Sequence, residues 1–183
     1  MLYRFFLLFL CVFCGGLLQA KEETWLSIDT EALTLVVKRG NSVVATFKNI
    51  AIGRGGVVSQ GMRKNGDDRT PLGTFRIAWI NRGSGFYRFF GLNYPTKAHA
   101  LRAYVEGLID EPTYNTILTA IRTHRLPPQN TPMGGYVGIH GLGQGDRRIH
   151  RLYNWTHGCV ALTNTQIDRL SRWIRIGTKV VIH

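Results

Sequence analysis

Two short runs, Tyr136-Val137-Gly138-Ile139-His140-Gly141 and Thr156-His157-Gly158-Cys159-Val160-Ala161-Leu162, decide how the chain reads. Each joins strand-forming residues to a glycine and to a side chain able to do chemistry. Strands over Tyr136–His140 and Cys159–Leu162 are expected, their ends holding His140 and Cys159. A cysteine attacks as the thiolate, which at neutral pH needs a base or cation nearby, and His140 and His157 are the candidates. His157 stands two positions before Cys159, so on an extended backbone the two side chains share a face. Gly158 between them leaves room for a carbonyl to approach the amides of Gly158 and Cys159, a donor pair suited to a tetrahedral oxyanion.

Downstream, Thr163 and Gln166 have the spacing of a capping box. They open a helix with Ile167, Leu170, Trp173 and Ile174 on one face, and Lys179–Ile182 follows as a strand. Upstream, the three prolines between Leu126 and Pro132 make a loop, because proline lacks the N–H and restricts its predecessor. Two amphipathic helices precede that loop. Ala98, Leu101, Tyr104, Val105 and Leu108 fall at helical spacing, as do Tyr114, Ile117, Leu118 and Ile121 beyond Pro112, and both stripes are expected to face the core. From Trp25 to Ile52, Leu33, Leu35 and Val37 alternate with Thr34, Val36 and Lys38, and a turn at Arg39-Gly40-Asn41-Ser42 makes a hairpin. Gly53, Gly55, Gly56, Gly61 and Gly66 mark loops up to Arg69-Thr70-Pro71-Leu72-Gly73-Thr74, and Phe75–Ile80 resumes as strand. The sum is one β-rich α+β domain with a few short helices.

The chain has 183 residues, 44% hydrophobic and 19% charged, which is globular composition and excludes a disordered tail or a multi-span membrane protein. Lys and Arg number 23 against 11 Asp and Glu, a formal charge of +12, which suits an acidic polymer such as nucleic acid, anionic lipid or cell wall. Residues 1–20 carry Arg4, the apolar run Phe5–Cys14, then Gly15, Gly16 and Ala20, the layout of a secretory signal peptide. Its apolar stretch is shorter than the roughly 20 residues of a membrane span. Cleavage leaves residues 21–183 as the mature chain, exported to the periplasm or cell envelope, with Cys159 as its one cysteine. Nucleic acid is disfavoured by the export signal and by the lack of a recognition helix or aromatic RNA motif. His140, His150, His157 and Cys159 are zinc-ligand types, but no short paired spacing supports a site, and no metal is expected. His99, His124 and His183 are expected to be solvated, as are the loop cations Arg54, Arg63, Lys64, Arg69, Arg147, Arg148 and Arg151.

Taken together, His140, the fifteen residues Gly141 to Trp155, and Thr156-His157-Gly158-Cys159 resemble the signature of the L,D-transpeptidase catalytic domain family, YkuD-type. Val137-Gly138-Ile139-His140-Gly141, the opening hairpin, Arg69-Thr70-Pro71-Leu72-Gly73-Thr74-Phe75 and Leu92-Asn93-Tyr94-Pro95 are similar to further parts of that family, from about Trp25 to Ile182. The resemblance implies a β-sandwich and a cysteine acyltransferase acting on peptidoglycan stem peptides without a cofactor. It makes Cys159 the nucleophile and His140 its base, with the Gly141 carbonyl orienting the imidazole and His157 and Gly158 supporting the pocket and oxyanion region. Thr156, Arg151 and Tyr94 become substrate-binding candidates, Arg151 for a substrate carboxylate. The acyl acceptor would be a wall amine, a wall-anchored lipoprotein, or water in a carboxypeptidase or in an amidase acting on the same wall peptides or wall-linked protein, and carbapenem-type β-lactams would acylate the thiol. Ala161 departs from the polar residue the family often places there, and Asn164 is the candidate replacement. The helical stretch Lys97–Arg125 is longer than a minimal member needs. A rival from another class is a basic, non-catalytic wall-binding module with an inert thiol.

Overall fold

Side chains that alternate between apolar and polar must alternate between core and solvent when the backbone is extended, and the first two strands do so. In β1 (Thr24–Asp29) Leu26 and Ile28 are buried, and in β2 (Thr34–Arg39) Leu35 and Val37 are. Leu33 lies outside the strand, in a turn at φ 48°, so the alternation begins one residue later than its sequence pattern. The computed structural model describes residues 22–59 and 63–183, so the expected signal peptide, residues 1–20, lies outside the described residues.

β3 (Ser42–Lys48) returns from β2 around the Gly40 turn as expected, its φ of 55° suiting glycine. β4 (Val57–Val58) and β5 (Thr70–Pro71) form a small parallel pair, then β6 (Gly73–Asn81) and β7 (Phe89–Leu92) run antiparallel. Two helices follow, α1 (Lys97–Val105) and α2 (Glu111–Arg122), with Asp110 capping the second through the Thr113 N–H. β8 (Gly138–His140), α3 (Arg147–Leu152), β9 (Val160–Ala161), α4 (Asn164–Leu170) and β10 (Lys179–Ile182) complete the chain. The capping box forms as expected, Thr163 accepting from the Gln166 N–H and the Gln166 side chain accepting from the Thr163 N–H.

The eight-stranded sheet has the order β3-β2-β1-β10-β6-β7-β8-β9. β1 and β10 are parallel neighbours, Trp25 opposite Lys179 and Ile28 opposite Ile182. The sheet curls back on itself: Ala51, just beyond β3 at one edge, exchanges hydrogen bonds of 3.0 and 2.7 Å with Ala161 of β9 at the other. That return wraps both halves around one core of Leu26, Ile28, Phe47, Phe75, Phe90, Ile139 and Val160, the β-rich α+β domain expected from the residues and the sandwich that the family resemblance implied.

Helix α1 corrects the expected core stripe. The buried residues are His99, Ala100 and Ala103, while Ala98, Leu101, Tyr104 and Val105 are exposed, Val105 at 72%. The reason is His99. Its Nε2 lies 3.2 Å from the Leu72 carbonyl and its Nδ1 2.7 Å from Thr96 Oγ1, so the ring is satisfied inside the core and turns the helix accordingly. Thr96 in turn makes no side-chain cap for α1.

Candidate active site

The segments ahead of β5, β7 and β8 and the run after α3 bring chemistry to one cleft of about 450 Å³, lined by Arg63, Asp68, Tyr136, His140, His157 and Cys159 among others. β8 begins two residues later than expected because Tyr136 sits at φ 52°, outside extended space. That turn points the Tyr136 carbonyl at Cys159, whose thiol donates to it at 3.3 Å. Cys159 is half-buried. Burial pushes its thiol up to about 11, with the Gly138 backbone and the Arg63 charge acting in the opposite direction.

His140 is 2% exposed and its Nδ1 lies 2.7 Å from the Gly141 oxygen. A carbonyl only accepts, so Nδ1 carries the proton and the neutral ring keeps its lone pair on Nε2. Phe86 lies over the imidazole at 4.4 Å, Phe89 stacks at 5.8 Å and 8°, and Trp155 meets it edge-on. Burial holds the imidazole down at about 4, outweighing the Gly141 hydrogen bond. Between those two values the resting pair is neutral thiol and neutral imidazole.

The run Thr156–Cys159 is a bend rather than a strand, with Gly158 at φ 117°. His157 and Cys159 therefore do not share a face by strand alternation, although both line the cleft. The His157 Nδ1–H donates to Asp68 Oδ1 at 2.6 Å, and Arg54 Nε donates to Asp68 Oδ2 at 2.6 Å. The His157 hydrogen bond, then that of Arg54, holds the Asp68 carboxyl below the usual range. The Gly158 N–H donates to Thr156 Oγ1 at 3.2 Å, and that hydroxyl donates to the Cys159 carbonyl at 2.7 Å. One amide of the expected oxyanion pair, that of Gly158, thus has a partner inside the bend. Thr156 ties the bend internally through that hydroxyl and also lines the cleft. A Cβ at Gly158 would stand 2.6 Å from the Arg69 carbonyl, in a backbone region few side chains adopt. Gly158→Ala is expected to cost about 2 kcal/mol or more in a urea melt, and an unchanged midpoint would show that the bend relaxes freely.

The sequence model of the L,D-transpeptidase catalytic domain, YkuD, matches residues 23–182. The chain belongs to the L,D-transpeptidase catalytic domain family. Among solved structures it resembles the helical cell shape determining protein Pgp2 of Campylobacter jejuni, with a TM-score of 0.57 at 18% identity over 90% of this chain and 48% of that one. It is also similar to Bd1075 of Bdellovibrio bacteriovorus, with a TM-score of 0.53 at 18% identity over 90% and 49%. The L,D-transpeptidase of Xylanimonas cellulosilytica gives 0.50 at 17% identity over 90% and 62%. The chain spans about half the length of the first two, and at these identities the likeness is one of fold. No curated protein matches.

Within this L,D-transpeptidase domain, two substrate candidates lie elsewhere. Arg151 is on α3 and lines a separate small cavity with Leu33, Asn49 and His150. Tyr94 is fully buried, its hydroxyl donating to the Met133 carbonyl at 3.2 Å and pushed up to about 12 by burial, so it supports the cleft from behind. His150 is likewise buried, accepting from Trp155 Nε1 at 3.3 Å, and is not brought to Cys159. Among the described residues no three of His, Cys, Asp and Glu gather as a metal site. Asn164 bonds backbone only, accepting from the Leu142 and Gly143 amides at 2.9 and 3.0 Å and donating to the Gly143 carbonyl at 2.9 Å, which fixes the loop after His140.

The residue that sequence reading passed over is Arg63. Read as a solvated loop charge, it is 5% exposed and donates to three carbonyls: Nε to Arg69 at 3.0 Å, Nη1 to Met133 at 2.7 Å and Nη2 to His157 at 3.1 Å. Its partners lie 6, 70 and 94 positions away, so no local spacing announces them. The glycine at 134, whose Cβ would meet Nη1, is the nearest thing to a signal.

Proposed function

We propose that this chain is a cysteine-dependent acyltransferase acting on peptidoglycan stem peptides, with Cys159 the nucleophile, His140 its base, and His157, Gly158 and Gly141 in supporting roles. The observation that carries the reading is one cleft holding both Cys159 and a buried His140 whose Nδ1–H is fixed on Gly141. With Nδ1 engaged, Nε2 is the nitrogen left to take the thiol proton as sulfur attacks the carbonyl of the third stem residue. Collapse of the tetrahedral intermediate breaks the bond to the terminal D-alanine, whose amine takes that proton from His140, and leaves a thioester on Cys159. An acceptor amine then gives its proton to His140 and displaces the sulfur, forming a cross-link, or an attachment if the amine belongs to a lipoprotein. Water in its place gives carboxypeptidase action. Cys159, His140 and the backbone supply every group these steps use, and no cofactor takes part.

The basic surplus of the chain fits a carboxylate-bearing wall. No helix among the described residues is long and apolar enough to cross a membrane. Residues 1–20 support export to the envelope.

The test is mass spectrometry of disaccharide-tetrapeptide incubated with the purified protein. Loss of D-alanine with a joined dimer is expected, a tripeptide alone would assign carboxypeptidase action, and no change would favour a wall-binding module. Carbapenem acylation is a second expected result: intact mass should rise by one β-lactam at Cys159, and a folded protein without adduct would count against an open cleft.

A further inference from the structure

A buried cation needs compensation, because burial removes it from water at a cost of several kcal/mol. Arg63 is 5% exposed, and among the described residues it has no ion-pair partner, since each salt bridge there is made by other cations. Three backbone carbonyls solvate it instead. Those carbonyls belong to three separate walls of the cleft: Arg69 ahead of β5, Met133 ahead of β8, and His157 in the bend that holds the cysteine. A Cβ at Gly158, next to Cys159, would stand 3.2 Å from Arg63 Nη2 and 3.3 Å from Nε, so the guanidinium lies directly against the backbone bearing the thiol. Carbonyl dipoles solvate a charge without cancelling it, as a carboxylate would.

We propose that Arg63 is a positioning residue for Cys159, tying the three walls of the cleft together and supplying the uncompensated positive charge that favours the thiolate. The proposal rests on Cys159 being the nucleophile. The other titratable groups lining the cleft act differently. Asp68 is paired with Arg54 and His157, and the His140 ring is neutral above about pH 4. Tyr136 offers its backbone carbonyl to the thiol, which favours the protonated sulfur. Arg63 is thus a lining cation with no carboxylate within 4 Å among the described residues; Asp67, in the same loop, reaches this corner by charge but makes no ion pair with it. The Arg63 charge also figures among the causes that lower the thiol against its burial.

The test is the rate at which iodoacetamide alkylates Cys159 in the full chain, followed by peptide mass spectrometry so that Cys11 and Cys14 do not contribute. It is measured from pH 6 to 9 for wild type, Arg63→Gln and Arg63→Lys, with circular dichroism on each. Glutamine keeps a hydrogen-bond donor and loses the charge. If the thiol rises by about one unit, thiolate falls about tenfold, and after the greater nucleophilicity of a more basic thiolate the rate should fall about threefold at each pH. Lysine keeps the charge without the fork, and its rate should stay near wild type. A folded Arg63→Gln chain alkylated at the wild-type rate overturns the proposal, as does a lysine variant slowed as much as glutamine. If glutamine does not fold, lysine decides alone: a rate near wild type supports the charge, and a threefold loss overturns it. Turnover by Cys159→Ala tests the nucleophile separately, so either reading can fail while the other stands.

Discussion

Replacing Cys159 by alanine is expected to abolish D-alanine release and dimer formation from disaccharide-tetrapeptide while the fold persists. The thiol is half-buried and its one side-chain hydrogen bond, to the Tyr136 carbonyl, is a weak sulfur contact. Removing the sulfur therefore takes away little packing, and a denaturation midpoint close to wild type is expected. Activity behaves differently, because the covalent route needs an atom that carries the acyl group and no other side chain lining the cleft is a thiol. A rate loss of about 10⁴-fold or more is the scale for removing a nucleophile. Residual turnover above a few per cent, in a preparation free of wild type, would remove Cys159 from the nucleophile's role. Binding of wall without turnover in both proteins would instead favour the non-catalytic module.

Acid should weaken the fold well before the carboxylates titrate. His99 and His140 are both held at about 4, chiefly by burial, against 6.5 for an ordinary histidine. The unfolded chain takes up these protons first as pH falls through 6.5, so protonation favours unfolding between there and about 4, and the stability so lost is regained as pH rises. At pH 5 each histidine accounts for about 2 kcal/mol, a large part of the usual margin of about 5–15 kcal/mol. His99 is the cleaner test, since it lies outside the cleft, with Phe75 at 5.2 Å and Tyr94 edge-on at 5.1 Å. Urea midpoints of wild type and His99→Gln at pH 7 and pH 5 should show a smaller acid loss in the variant, even though it starts less stable. Equal losses would mean that His99 accepts its proton without penalty.

The strands and helices were legible because their signals are local. Alternation marked β2, Gly40 the turn, Thr163 and Gln166 the cap, and the spacing from His140 to Cys159 the cleft that the two line together. What escaped depends on partners far along the chain. The apolar period of α1 placed the helix and chose the wrong face, because the Leu72 carbonyl that receives His99 leaves no mark within residues 97–105. Arg63 looked like any loop cation until three distant carbonyls surrounded it. Arg151 was near the motif in sequence and on another surface in space. Gly158 was correctly singled out for its small size, but its left-handed bend and the Thr156 contact changed what its amide is available to do.

The parallel pairing of β1 with β10 has a consequence for the order of assembly. The strand at residues 24–29 gains its second neighbour only from residues 179–182, so the middle of the sheet is a seam between segments some 150 positions apart. Until the later strand arrives, the hairpin β1–β2 and the strand β6 each expose an unpaired edge. Closing so long a loop is slow relative to local hairpin formation. The chain therefore holds two half-sheets, β3-β2-β1 and β6-β7-β8-β9, that become one only when β10 slots between them.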